Sequence, residues 1–420
     1  MNTHMTSSHW TREHTGQQIA LHDSLTDIDR KQWDTLLIPS FYLSYDWLLT
    51  MSTTVSPLPQ FLTLQLMPGE QLRAGFPVHT ITPDSAALYD PIRVLLNGQS
   101  ISRVCTELTE VDAECCKSLA AEINQSREKL YPVFTSIAPG FTTGLCYAPT
   151  MKQAEAISSA CEMIQAMESA AQASGALAVS FLYVPETTDS VLHNAALKCG
   201  YFRTVVSAEC YLPIKWQNFD EYLQSRVKTR RTSIKAEISR FKTRGFHIDV
   251  CGVESLNDEL VPLHATWRRK YGSTVSEDSL KAQYAVIRQN LGPAVRLFIA
   301  REGQKVVGFA LFYEYNGVYY SRAIGFDYES LQDNFCYFNV LFYKPIEEAI
   351  NAGIQSIHYS MESYDAKLGR GCQLRLLLAY IRPLTTGNTG LAQFMQLFDT
   401  GQRAYFQHVV DRHPEKPRVI

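Results

Sequence analysis

Hydrophobic and polar residues recur along this chain with two periods, which together predict a mixed α/β protein. Between residues 153 and 174, small or apolar residues recur every three or four positions, as in a helix that packs on a sheet. Gly175 is placed to end that helix, and the apolar run Ala178–Val184 is typical of a buried strand. A shorter helix at Ser190–Lys198 and a strand at Tyr201–Leu212 are predicted to follow.

The region before residue 153 gives fewer signals. Gln17–Leu21 is predicted to be a strand and Asp27–Leu37 a helix around a tryptophan. Phe61–Leu66 and Leu72–His79 are predicted to form a hairpin, because Pro68-Gly69 marks a turn between them.

The second half of the chain repeats the order of the first. A helix, a glycine, a strand and a polar loop occur at 153–189 and again at 339–372, which indicates duplication of one α/β unit. Asn316-Gly317 is the strongest short hairpin signal in the chain. The elements predicted after residue 250 are helices at Leu260–Tyr271, Asp278–Leu291 and Asn339–Ala352, and strands at Val295–Arg301, Val306–Tyr313, Val318–Ile324, Ile354–Tyr359 and Gln373–Arg382.

Composition narrows the class of protein. The 420 residues include 39 Lys and Arg against 42 Asp and Glu, a net charge of −3, which argues against a globally basic nucleic-acid binder. No apolar stretch approaches ~18 residues and no signal-peptide core is visible near the start, so we expect a cytoplasmic protein that does not insert into membranes.

Several enzyme classes lose their main support. Ten cysteines occur without a CxxC pair and the histidines are scattered, so neither a metal site nor a disulfide scaffold is expected. His358, on a predicted strand, is interpreted as a core residue. The sequence has no GxSxG, Walker or GxGxxG motif, which argues against hydrolase, NTPase and dehydrogenase functions.

The segment 226–244 is strongly basic. It carries eight cations and one acid, Glu237, and its apolar residues fall at helical spacing, so one face should pack while the other is basic. Eight cations repel one another unless an anionic partner neutralises them, which favours binding to a tRNA backbone or another phosphorylated ligand. The alternative is a solvated helix face. The residues assigned to phosphate or tRNA binding are Arg226, Lys228, Arg230, Arg231 and Lys235.

Seven tyrosines lie between residues 313 and 343. On the strand 318–324, Tyr320 and Arg322 share a face by period two, and could form an aromatic pocket with a carboxylate clamp for an amino-acid-like acceptor. Tyrosines are also ordinary strand residues, so the alternative is structural. The predicted substrate-binding residues are Tyr320, Arg322, Tyr337, Trp267 and Tyr364.

The order of the predicted elements resembles that of the GNAT acyltransferase fold. The basic segment FDEYLQSRVKTRRTSIKAEISRFKTRGFHIDV (Phe219–Val250) looks like the linker of Fem-type, duplicated GNAT transferases. REGQKVVGFALFYEYNGVYYSRAIG and SYDAKLGRGCQLRL are similar to the central hairpin and the K-x-x-R-G loop of that family. The resemblance covers about residues 215–385 and is weaker over 17–212.

This resemblance implies two tandem GNAT-like domains, each with a mixed, mostly antiparallel sheet flanked by helices. The predicted limits are 1–15 for a disordered tail, 16–212 for the first domain, 213–385 for the second domain with its basic helix, and 386–420 for a helical tail.

The resemblance also implies transfer of an acyl group to an amine, with acyl-CoA or aminoacyl-tRNA as donor. The segment Gly325–Pro345 lacks the glycine-rich pyrophosphate loop of CoA-dependent members, and its acids Asp327, Glu329 and Asp333 would repel phosphate. We therefore expect an aminoacyl-tRNA donor, a small-molecule amine acceptor and no cofactor. The alternatives are a CoA-thioester donor with an unusual phosphate site, or a non-catalytic GNAT-like module that binds RNA or a small ligand.

The K-x-x-R-G loop supplies the predicted catalytic residues. It follows the strand 354–359, at the edge where α/β sheets usually present ligands. Lys367 and Arg370 could stabilise an oxyanion, and Glu362 or Asp365 could accept the proton of the attacking amine. The alternative is a surface loop held by local ion pairs.

Overall fold

A computed structural model describes residues 2–6, 9–14, 17–53, 56–66, 71–330, 335–385 and 389–413. Its strands are β1 (Asn2–Thr6), β2 (His9–His14), β3 (Gln17–His22), β4 (Gln60–Gln65), β5 (Leu72–Ile81), β6 (Val133–Ser136), β7 (Cys146–Tyr147), β8 (Ala178–Pro185), β9 (Phe202–Pro213), β10 (Phe246–Cys251), β11 (Val295–Glu302), β12 (Lys305–Tyr315), β13 (Val318–Phe326), β14 (Ser356–His358) and β15 (Gln373–Pro383).

The helices alternate with these strands. They are α1 (Arg30–Trp33), α2 (Tyr45–Met51), α3 (Pro91–Leu95), α4 (Gly98–Cys105), α5 (Glu110–Gln125), α6 (Gln153–Ala173), α7 (Val191–Lys198), α8 (Phe219–Gln224), α9 (Lys228–Thr243), α10 (Val261–Lys270), α11 (Glu277–Leu291), α12 (Cys336–Phe338), α13 (Lys344–Asn351), α14 (Tyr364–Leu368) and α15 (Thr389–Asp411). Short 3-10 turns lie at Leu25–Asp27, Phe41–Leu43, Ala87–Tyr89, Arg127–Leu130, Val253–Ser255, Asp258–Leu260 and Gly292–Ala294, and a π-helical turn at Asn339–Tyr343.

The chain divides into two compact units. The first contains the residues up to Ala208 together with Arg375–His408, and the second contains Glu209–Leu374 and the residues from Val409. In the first unit the strand order is β1-β2-β3-β4-β5-β6-β8-β15. Neighbouring strands run antiparallel except β6 and β8, which are parallel. Helix α6 belongs to this unit and buries one face, which includes Ala156, Ile164 and Met167.

The second unit repeats this plan. Its strand order is β14-β13-β12-β11-β10, antiparallel except for the parallel pair β13 and β14. Each unit thus has one parallel pair, and in each the second strand of that pair follows a helix. The hairpin signal at Asn316-Gly317 is confirmed, because both residues are left-handed, with φ of 48° and 72°. The prediction of a mixed α/β protein with two tandem, mostly antiparallel units is confirmed.

Each unit is completed by a strand from the other half of the sequence. Residues 377–383 of β15 pair with β8 in the first unit, whereas residues 211–213 of β9 pair with β14 in the second. The sequence-based limits had assigned 375–385 to the second domain. The periodicity and hydrophobicity of a strand do not show which strand it pairs with, because an apolar segment that is buried on both faces fits either of the two sheets.

Several elements differ from their predicted form. The helix expected over Asp27–Leu37 is only the short α1, with a 3-10 turn before it. The helix expected over Asn339–Ala352 opens with a π-helical turn. Residues 1–15, predicted to be a disordered tail, include β1 and β2. The Pro68-Gly69 turn lies outside the described residues.

The predicted helical tail corresponds to α15. It carries buried side chains, among them Leu391, Phe394, Met395 and Phe398, which belong to the first unit. Of the helices in the described ranges, none is both long enough and apolar enough to cross a bilayer.

Candidate active site

A strained turn follows β14 in the second unit. Ser360, Glu362 and Ser363 all have left-handed backbone, with φ of 59°, 65° and 52°. Such conformations are costly for residues with a side chain and cluster at functional sites, where the surroundings must hold them. This turn lies where the sequence analysis expected the catalytic loop.

The side chain of Lys367 stabilises this turn by hydrogen bonds to its main chain. Its side chain is only 5% exposed, and its ammonium donates to the carbonyls of Ser360, at 3.3 Å, and Met361, at 2.6 Å. Burial lowers the pKa of Lys367 from its usual range, because a desolvated ammonium is disfavoured. Two of its three N–H groups are therefore directed at the main chain of the turn.

Arg370 is more deeply enclosed, with 2% exposure. Its guanidinium donates to Glu237 at 3.0 Å, to the Tyr343 hydroxyl at 2.9 Å and to the carbonyl of Ala366 at 2.9 Å. The Phe338 ring lies under it at 3.6 Å. Glu237 also accepts a short hydrogen bond from Tyr343. A buried charge needs such partners, so Arg370 fixes the loop rather than presenting itself to solvent.

The basic helix α9 packs directly on this loop. A methyl group at Gly369 would lie 2.8 Å from the Arg230 guanidinium, and one at Gly371 would overlap that of Arg226. Arg226 also lies over the rings of Trp216 and Tyr222, at 6.0 and 5.8 Å. The two motifs that the sequence analysis treated separately therefore form one structure.

The remaining cations of α9 are not spread evenly around it. Lys228, Arg231, Lys235 and Lys242 are spaced three, four and seven residues apart, so they follow one face of the helix. Glu237, with Arg230, Ile234 and Phe241, lies on the face that packs inward. The outward face is mostly neutral, with Thr229, Thr232, Ser233, Ala236 and Thr243 beside a single cation, Arg240. We call Lys228, Arg231, Lys235 and Lys242 the cation stripe.

The two predicted acids of the loop are both exposed but differ in their contacts. Asp365 accepts hydrogen bonds from His413 at 3.1 Å and Arg412 at 3.4 Å, so it ties the loop to the two residues that follow α15. Glu362 lies in the strained turn itself. Of the two, Glu362 is better placed to meet an incoming amine.

The predicted substrate-binding residues do not form a single row. Tyr320 is buried, with its ring 4.9 Å from that of His358, which is itself half-buried beside Glu209. The register between β12 and β13 shifts so that Arg322 is the extra residue of a bulge. This bulge interrupts the alternation from which Tyr320 and Arg322 were placed on one face.

The other three lie in separate surroundings. Trp267 lies between His264 and Tyr271, with tilted rings whose centroids are 6.2 and 5.5 Å away. Tyr337 packs against Phe326, Phe338 and Phe342, and burial raises its pKa to about 12. Tyr364 is buried at the start of α14.

Comparison with known proteins gives the family. The model of the FemAB-like family, described as peptidoglycan biosynthesis/recognition, matches residues 117–407. The chain belongs to the FemAB-like family. Membership supports the assignment of this protein as an acyltransferase and confirms the Fem-type resemblance on which that assignment rested.

Three solved structures are similar to this FemAB-like protein, and of these FemX supports the fold. FemX is 11% identical, with a TM-score of 0.53, over 89% of this chain and 99% of FemX. A tandem GNAT protein from the clavulanic acid biosynthesis pathway is 10% identical, with a TM-score of 0.47, over 88% and 99% of the two chains. L-PGS from Bacillus licheniformis is 13% identical, with a TM-score of 0.42, over 64% and 83%. A search of curated proteins gave no match.

The FemAB-like protein also contains a site residue that the sequence did not reveal. Glu237 was noted only as the single acid among eight cations, yet it is the counter-charge of Arg370. The available signal was its helical spacing with Arg230, seven residues before it, and with Ile234, three residues before it.

His264 is a buried titratable residue of the second unit that lies outside the strained turn. It is buried beside Tyr284, whose hydroxyl lies 3.1 Å from its Nδ1. Burial, assisted by the charges of Arg268 and Arg322, lowers the pKa of His264 to about 4, so the imidazole is neutral at pH 7. Among the described residues, no cluster of three or more potential ligands could hold a metal ion.

Proposed function

We propose that this protein transfers an aminoacyl group from aminoacyl-tRNA to the amine of a small molecule or peptide precursor. The observation that carries this proposal is the cation stripe on a helix that packs against the K-x-x-R-G loop. Four cations on one face can follow a phosphate backbone, and the same helix supports the loop expected to carry the chemistry.

The reaction needs no further activation of the donor. The nitrogen of the acceptor amine attacks the carbonyl carbon of the aminoacyl ester and forms a tetrahedral oxyanion. The bond from the carbonyl carbon to the ribose oxygen then breaks, that oxygen leaves with the electron pair and takes up a proton to become the free hydroxyl of the tRNA, and an amide remains. A general base must accept the proton of the amine, a role for which Glu362 is the exposed candidate of the strained turn.

In this proposal Lys367 and Arg370 act as positioning residues. Their donors are engaged with Ser360, Met361, Glu237 and Tyr343, which favours main-chain N–H groups of the turn as the donors to the oxyanion. The two buried cations then keep those groups aligned. Replacing Glu362 by Gln should lower the rate of transfer while leaving tRNA affinity unchanged.

The test measures binding of total tRNA at two salt concentrations. We expect salt-dependent binding that Lys228→Glu/Arg231→Glu weakens by tenfold or more, because each lost phosphate contact removes a counterion-release contribution. Arg240→Glu is the matched control, since it makes the same charge change on the outward face of the same helix. Equal loss in both variants would contradict a role for the stripe.

Activity distinguishes the donors. With charged tRNA and an acceptor amine, RNase treatment should abolish amide formation. Amide formation from acyl-CoA that resists RNase would overturn the tRNA proposal in favour of a CoA-dependent acyltransferase. Binding of tRNA without turnover by any donor would instead indicate a recognition module.

A further inference from the structure

A pocket of about 740 Å³ lies in the second unit beside α9, and its lining does not include the residues of the strained turn. Its walls come from α8, α9, β10 and the helix that spans the π-helical turn and α13. The wall is mainly apolar, and its apolar lining residues are Phe219, Leu223, Ile238, Phe241, Phe246 and Ile248.

Two polar side chains of the wall, Asn339 and Tyr343, are already hydrogen-bonded within the protein. The side-chain amide of Asn339 donates to the carbonyls of Glu237, at 3.3 Å, and Phe335, at 3.0 Å. The Tyr343 hydroxyl is bonded to Glu237 and Arg370. A ligand that enters the pocket therefore meets apolar surface, which suits an aliphatic chain better than a peptide or a sugar.

The rim of the pocket is positive. Lys235 and Lys242 belong to the cation stripe, lie two helical turns apart and flank Ile238. Neither has an ion pair within the described part of the chain. Lys344, also on the rim, is compensated by Glu347 at 2.7 Å. The net charge around the opening therefore favours an anion.

We propose that this pocket binds the chain of a single-chain amphiphile whose phosphate head lies between Lys235 and Lys242. Burying the chain removes apolar surface from water, at about 0.8 kcal/mol for each CH₂ group. Lysine ammonium groups bind phosphate as flexible point charges, so two lysines can converge on one head group. The apolar pocket is not part of the proposed acyl-transfer chemistry, but its two lysines belong to the cation stripe, so tRNA and the amphiphile would compete for them.

The test uses dodecyl phosphate below its micelle concentration, measured by calorimetry with the full chain. We expect saturable binding of one molecule for each chain. Dodecyltrimethylammonium, which has the same chain and the opposite charge, and inorganic phosphate, which has no chain, should each bind at least tenfold more weakly.

Variants locate the binding. Ile238→Glu places a carboxylate in the wall and Lys242→Glu reverses the rim charge, and each should weaken binding at least tenfold. Ile238→Leu should bind as the wild type does, which separates loss of the site from loss of the fold. Arg240→Glu makes the same charge change as Lys242→Glu outside the pocket and should also bind normally.

Three results would overturn the proposal: equal binding of the cationic amphiphile, equal weakening by Lys242→Glu and Arg240→Glu, or normal binding by Ile238→Glu. Anionic vesicles that contain a lysophosphatidic acid, a membrane lipid with one chain and a phosphate head, distinguish the sources. Vesicle binding that Ile238→Glu abolishes indicates a membrane lipid, and binding of monomers alone indicates a soluble alkyl phosphate. Because dodecyl phosphate binding needs no tRNA, its failure leaves the donor proposal intact.

Discussion

Replacing Glu237 by Gln would leave the Arg370 guanidinium buried without its counter-charge. The substitution keeps the shape of the side chain and one carbonyl oxygen, so the hydrogen bond at 3.0 Å can persist while the charge is lost. The perturbation is therefore electrostatic, with little change in packing. It acts on the connection between α9 and the K-x-x-R-G loop.

The expected magnitude follows from burial. Arg370 is 2% exposed and the side chain of Glu237 12% exposed, so water can do little to solvate the remaining charge. Removing one partner of a buried ion pair typically costs about 3–5 kcal/mol. The Tyr343 hydroxyl, the carbonyl of Ala366 and the ring of Phe338 still contact the guanidinium, so we expect a value near the lower limit, about 3 kcal/mol.

Hydrogen–deuterium exchange is the suitable assay, because a chain of two units need not unfold in one step. Faster exchange is expected in the amides of residues 364–372 and α9, whereas amides of the first unit should be unchanged. A loss of about 3 kcal/mol corresponds to an increase of roughly a hundredfold in the equilibrium constant for local opening, which sets the exchange rate of these amides.

The control is Glu259→Gln, which removes one of two acidic partners of Arg301, at 3.7 Å in a partly exposed pair of the same unit, while Asp249 remains at 3.0 Å. Such pairs contribute about 0–1 kcal/mol. If Glu237→Gln accelerates exchange no more than Glu259→Gln does, then Arg370 is not held by this charge and the proposed link between helix and loop is wrong.

Three further predictions concern the second unit. In a urea titration, Gly371→Ala should destabilise this unit by about 1–3 kcal/mol, because Gly371 has a φ of 98° and lies against Arg226. Gly369 has ordinary backbone and a methyl group there would meet only the end of the Arg230 side chain. Gly369→Ala should therefore cost less than about 1 kcal/mol in the same titration. Gly325→Ala would bring a methyl group 2.7 Å from the main-chain nitrogen of His264 and so push α10 from β13. Thermal unfolding should show a loss of about 1–3 kcal/mol in the free energy of unfolding. An unchanged midpoint temperature would refute this close packing. The pKa of His264 falls from 6.5 to about 4 on folding, so below pH 6.5 the unfolded chain gains a proton that the folded chain does not. The free energy of unfolding should therefore fall from pH 6.5 towards pH 4, by about 2 kcal/mol at pH 5. His264→Phe should lose this part of the pH dependence, and an unaltered profile would show that His264 titrates normally.

Local sequence signals predicted most of the regular structure. The helix that became α6 shows a complete apolar stripe and a closing glycine, and the β12–β13 turn is specified by Asn316-Gly317 alone. These elements are determined by residues close together in sequence. The predicted helix over Asp27–Leu37 failed, because the Trp33 indole donates to the carbonyl of Leu43 at 3.0 Å in a contact that no local pattern records.

The candidate site was predicted in outline but not in its connections. The sequence marked both α9 and the K-x-x-R-G loop as unusual, and it did not show that Arg226 and Arg230 pack on the glycines of that loop. Nor could it show that Arg322 is the extra residue of a bulge, since a bulge depends on the opposite strand. Long-range register and charge pairing are tertiary properties.

The exchanged strands constrain how this protein is made. A ribosome delivers residues 1–208 first, yet β8 must wait for β15 until the whole of 209–374 has been synthesised. In the folded protein β8 is buried and apolar, and one of its edges pairs with β15. Until β15 is made, the nascent chain therefore exposes that edge, which can associate with other chains. We expect a chain that stops before β15 to need a chaperone, however complete its first 208 residues are.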